Sequence, residues 1–79
     1  MSTNIERAER GREILEIYAD RHGDPYDHTS NLTDLLADLM HTSERHSELR
    51  LNFRDRLRMA EWHFEAEKEE EIESPQSIE

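Results

Sequence analysis

Asp34, Asp38 and His41 stand at i, i+4 and i+7, so a helix through them puts two carboxylates and an imidazole on one face. Asp38-Leu39-Met40-His41 has the carboxylate-x-x-His spacing used in helical di-metal sites. Such sites need a second copy of the fragment and further carboxylates turned inward. The chain has no second copy: three residues before His63 is Ala60, and three before His46 is Ser43. The three groups also fall away from the apolar stripe of their own segment, so a solvated helix face accounts for them. The five histidines (His22, His28, His41, His46, His63) show no other ligand spacing and read as surface groups. With no cysteine, thiolate catalysis, disulfides and Cys-based zinc sites are excluded. The reading from these residues is therefore no enzyme, no metal and no cofactor.

The groups must be carried by helices, since no strand pattern competes. Thr3-Asn4-Ile5-Glu6 is a capping box, and a helix is expected over about 4–21, ended by Gly23 and Pro25. Ala8, Gly11, Leu15 and Tyr18 form its inward stripe, with Gly11 allowing a close helix approach. Residues 22–30 form a polar loop in which Tyr26 packs back on the core. A second helix, about 31–46, starts at Ser30 or Asn31 and turns Leu32, Leu35, Leu36 and Leu39 inward, leaving Asp34 and Asp38 facing water. Asn52 caps a third helix, about 53–68, whose stripe is Phe53, Leu57, Ala60 and Phe64. The expected architecture is all-α: a small three-helix bundle in one domain, residues 1–68, followed by a disordered acidic C-terminal tail, 69–79.

Composition narrows the partners. The 79 residues are 33% hydrophobic and 38% charged, near the limit for folding alone, so association could supply missing burial. The net charge is −10, and the last thirteen residues, with six acids against one lysine, carry half of it. This disfavours direct binding to nucleic acid or an anionic membrane and fits a protein partner with a basic surface. There is no membrane-length apolar run and no signal-peptide core, and the expected location is the host cytoplasm. Arg50, Arg54, Arg56 and Arg58 form a local basic cluster, read as pairing with Glu48, Asp55 and Glu61 or with the acidic tail. Met59 and Trp62 lie off the main stripe of the third helix and could close a homodimer or anchor a partner.

Two segments carry a family resemblance. Leu32-Thr33-Asp34-Leu35-Leu36-Ala37-Asp38-Leu39-Met40-His41 and Arg58-Met59-Ala60-Glu61-Trp62-His63-Phe64-Glu65-Ala66-Glu67 resemble an L-T-D-L-L-x-D-L-M-H then A-x-x-H-F-x-x-E arrangement. It is found in short uncharacterised bacterial and phage-associated proteins. The resemblance spans about residues 31–67, implies a mobile-element origin and implies no reaction. In this chain Ser47 to Asn52 stands where those proteins have a short Gly-containing turn. Separately, Glu6-x-x-Glu9 and Glu13-x-x-Glu16 resemble in outline the magnesium-binding Glu-x-x-Glu of all-helical nucleotide pyrophosphohydrolases. The later Glu-x-x-Asp of those enzymes is missing, because Leu35 stands three before Asp38.

Three functions follow in order. The first is an acidic inhibitor, similar in size and charge to anti-CRISPR and anti-restriction proteins, that imitates the closely spaced phosphates of a duplex in a host protein's basic channel. Its contacts would be Glu9, Glu13, Glu16, Asp20, Asp34 and Asp38. The second is a homodimeric structural or regulatory module joined through Met59 and Trp62. The third is a magnesium-dependent nucleotide hydrolase.

Overall fold

A computed structural model of the chain describes residues 3–72. Three α-helices, with no strand among the described residues, make an open three-helix bundle. Helix α1 spans Asn4–His22, α2 spans His28–Arg45 and α3 spans Phe53–Ile72, with a short 3-10 turn at Ser47–Leu49 between the last two. The all-α expectation is met. Helix α3 runs four residues beyond the expected end, and the remainder of the expected disordered tail, residues 73–79, lies outside the described residues.

The capping box at the start of α1 forms as expected. Thr3 Oγ1 accepts from the Glu6 amide at 3.0 Å, and Glu6 Oε1 accepts from the Thr3 amide at 2.9 Å. At the other end the Gly23 amide donates to the Ala19 carbonyl at 3.1 Å. Gly23 is not left-handed (φ −117°), so its role is space. A Cβ there would overlap the Asn31 side chain.

Helix α2 begins earlier than expected. Asp27, not Ser30 or Asn31, is the N-cap, accepting from the Ser30 amide at 3.1 Å and the Ser30 hydroxyl at 2.9 Å. Asn31 is instead buried to 1% exposure against the end of α1. Its Nδ2 donates to the Asp24 carbonyl at 2.7 Å and its Oδ1 accepts from the Asp24 amide at 3.0 Å. A run of three good capping residues is resolved by geometry: the first one caps, because the last is spent tying α1 to α2. The turn Asp24-Pro25-Tyr26-Asp27 closes with the Asp27 amide on the Asp24 carbonyl. That turn throws Tyr26 outward to 93% exposure, so it does not pack on the core.

The connector into α3 carries Arg50 (φ 53°) and Asn52 (φ 46°) in the left-handed region. Asn52 does not cap by accepting; its Nδ2 donates to Asp55 Oδ2 at 2.9 Å. The freed Phe53 amide is taken by Ser43 Oγ at 3.2 Å, which pins the start of α3 to α2.

Packing is the principal correction. Only Ala19 and Asn31 are buried among the described residues. Leu35 and Leu36 are half-buried, but Leu32 and Leu39, expected inside, remain exposed. Phe64, expected in the core, is 57% exposed. Gly11 meets no neighbour where its Cβ would be, so it serves no close helix approach. The reason is how the helices meet. Helix α2 packs along α1 near Ala19 and Tyr18, whereas α3 approaches the first turns of α1, where Asn4 Nδ2 donates to the Glu67 carbonyl at 3.2 Å. The two partners of α1 take different ends of it, and among the described residues no third element covers the stripes between them. The radius of gyration is 15.5 Å, against about 12 Å for a compact chain of this length.

Candidate functional site

Glu9, Glu13, Glu16 and Asp20 are all exposed. Their spacing of four, three and four residues keeps them within about a 60° arc of α1, on the side away from Tyr18, over about 16 Å of axis. The stripe is not bare along its whole length. Arg12 Nε donates to Glu16 Oε2 at 3.0 Å, a pairing of residues four apart on the helix. The hydrogen bond to Glu16, helped by its charge and that of Glu9, raises the Arg12 pKa.

Asp34 and Asp38 do not join that stripe. Both are exposed, but they sit at the seam between α2 and α1. The Tyr18 hydroxyl donates to Asp38 Oδ2 at 2.6 Å. That hydrogen bond, then partial desolvation and the charges of Asp38 and Asp34, push the Tyr18 pKa up to about 12. Because Tyr18 lies on the opposite side of α1 from the four glutamate and aspartate side chains, the six expected contacts divide into four and two. No three His, Asp or Glu side chains among the described residues are arranged to hold a metal ion, so Asp34, Asp38 and His41 are not gathered into a site.

Met59 and Trp62 also part company. Met59 is half-buried and faces a groove between the first half of α1 and α3. Trp62 is 70% exposed and does not line that groove. The groove has an apolar floor of Ala8, Met59, Ala60 and Phe64, and a cationic rim of Arg7, Arg10, Arg56 and Lys68. Arg7 lies 3.5 Å from Glu67, the single carboxylate in the lining. Of the arginine cluster, Arg58 pairs with Asp55 at 3.2 Å, as the composition suggested. Neither the groove nor the Tyr18–Asp38 and Asn31–Asp24 contacts were readable from linear spacing, since the first two join residues of different helices and the third joins α2 to the turn after α1. No helix of the described residues is long and apolar enough to cross a membrane. Comparison of the chain with protein-family models, curated proteins and solved structures returns no match.

Proposed function

We propose that this chain is a small acidic inhibitor, of phage or other mobile-element origin, that occupies the basic nucleic-acid-binding surface of a host defence protein. The observation that carries the proposal is the outward stripe of Glu9, Glu13, Glu16 and Asp20. Carboxylates on a helix are held at fixed steps of about 5 Å along the axis. A duplex presents its charges more densely, one per about 1.7 Å with both strands counted. The stripe therefore imitates part of one strand, over about half a helical turn. Asp34 and Asp38 are dropped from this surface because they face a different side of α1, and Asp38 is occupied by Tyr18. A net charge of −10 adds long-range attraction to a basic partner, which raises the encounter rate and makes it sensitive to salt.

Affinity capture with the tagged chain from host lysate, at low and at physiological salt, tests this. The same is done with a variant carrying Glu9→Gln, Glu13→Gln, Glu16→Gln and Asp20→Asn. The expected result is a basic nucleic-acid-binding protein that the wild type retains, that the neutralised variant loses, and that an excess of duplex DNA displaces. Capture unchanged by neutralising the stripe, or the absence of any such protein at either salt, overturns the proposal.

A further inference from the structure

Helix α3 carries two adjacent stripes of identical spacing. Phe53, Leu57, Ala60 and Phe64 are four, three and four residues apart, and so are the residues that directly follow each of them: Arg54, Arg58, Glu61 and Glu65. The first stripe is open along much of its length, with Leu57 46% and Phe64 57% exposed. All four charged side chains of the second are exposed. Their order along the helix is plus, plus, minus, minus.

We infer that this chain forms a two-fold symmetric dimer by antiparallel pairing of α3 with α3 of a second copy. Symmetry dictates the register. In an antiparallel pair like flanks meet, and a two-fold contact is self-complementary: if one residue meets another, the reverse contact is also made. Centred on Ala60, the pairing sets Leu57 of one copy against the second copy's Phe64. On the flank, Arg54 then lies within one residue's rise, about 1.5 Å, of the second copy's Glu65, and Arg58 within the same distance of its Glu61. The small Ala60 stands at the axis, where the helices come closest. A parallel arrangement would set this flank against the opposite one, which carries Arg56, Met59 and His63, leaving Arg54 and Arg58 beside Arg56 and the two glutamates without an arginine, so the charge order favours the antiparallel one. The molecule has surface to spare for such a contact. Its accessible area is 7169 Å² at 9.5 kDa. A compact monomer of that mass exposes about 5,000 Å², and an ordinary stable interface takes about 800 Å² from each partner.

The test is sedimentation equilibrium of the full chain from micromolar to submillimolar concentration at low salt. It covers wild type, Arg54→Glu, Glu65→Arg and the double variant, with helicity followed by circular dichroism. Each single reversal places two like-charged contacts in the dimer and should weaken it about tenfold. The double variant exchanges the partners and should return to near the wild-type constant. A second measurement is independent of those charges: because the chain has no cysteine, Ala60→Cys adds a unique thiol at the axis. Mild oxidation should cross-link Ala60→Cys much faster than Ile17→Cys on α1. A wild type that stays monomeric throughout, a double variant no tighter than the singles, or equal cross-linking of the two thiols overturns the inference.

Discussion

The two glycines of this chain do opposite things, and that is testable residue by residue. Gly11 sits inside α1 with open space where a side chain would be. Gly11→Ala should therefore raise stability by about 1 kcal/mol, the helix-propensity difference. Gly23 gives up its side chain to Asn31. Gly23→Ala should lower the thermal midpoint, because it must displace a buried amide that holds two hydrogen bonds to Asp24. Thermal melts of the two variants, expected to move in opposite directions, check both. Tyr18 gives a pH signature. Its pKa is about 12 in the folded chain against the ordinary 10.0. The stability it contributes is therefore complete below pH 10 and is lost as pH rises toward 12. Asp38→Asn removes the charged acceptor and should bring the phenol titration, followed by ultraviolet absorbance, back toward 10 and remove that alkaline dependence.

At the scale of elements, the sequence was most legible where the signal is local. The capping box of Thr3 and Glu6 is contained within a few residues and forms where spacing put it; α3 also starts at Phe53 as expected, although that amide is taken by Ser43 of α2 and not by the Asn52 side chain. The start of α2 was misplaced by three residues because Asp27, Ser30 and Asn31 all have capping chemistry. The choice among them depends on Asn31 meeting Asp24 across the turn, a contact that no window along α2 contains. The same holds for the apolar stripes: periodicity marks Leu32, Leu39, Leu57 and Phe64 as one face each, but not whether anything lies opposite. For the candidate site, the six acids were named as contacts without an arrangement. The four of α1 fall within one arc because they share one helix, whereas Asp34 and Asp38 stand on α2, and no spacing along the chain gives the relation of the two helices. The cap makes its own prediction. Two hydrogen bonds from Ser30, helped by nearby His28, hold the Asp27 carboxyl below its ordinary range. Asp27→Ala should cost about 1 kcal/mol. The cap's contribution is present above pH 4 and lost as pH falls through the lowered pKa. A denaturant titration at neutral and at acidic pH should show the variant and the wild type converging in acid.

For the whole molecule, what matters is how little of the chain is enclosed. Ala19 and Asn31 are the only buried residues described, and Ile5, Ile14, Ile17, Leu57, Trp62 and Phe64 are all exposed. Burial on that scale contributes little of the stabilisation that must offset the ordering of some seventy residues. Stability should therefore depend on protein concentration, because association favours the folded chain by mass action. A thermal midpoint that rises by several degrees between micromolar and submillimolar chain checks this, and one that does not move would show that the chain folds without help. The α3 pairing face borders α1 only at the groove lined by Arg7, Ala8 and Arg10, on the side of α1 away from its acidic stripe, so binding a basic target and pairing with a second copy involve separate surfaces.

Helix α3 opens on arginines and closes on glutamates, with Asp55 the one acid in its first turn and no base in its last. Peptide dipoles leave the start of a helix partly positive and its end partly negative, so most of these charges sit at the wrong poles, each at a cost of about 0.3–1 kcal/mol in dilute salt. Dissolved ions should then act on this helix in two contrary senses. They relieve the polarity conflict within a lone α3 and loosen its grip on a neighbour, so salt should make the separated chain more ordered and the paired one less so.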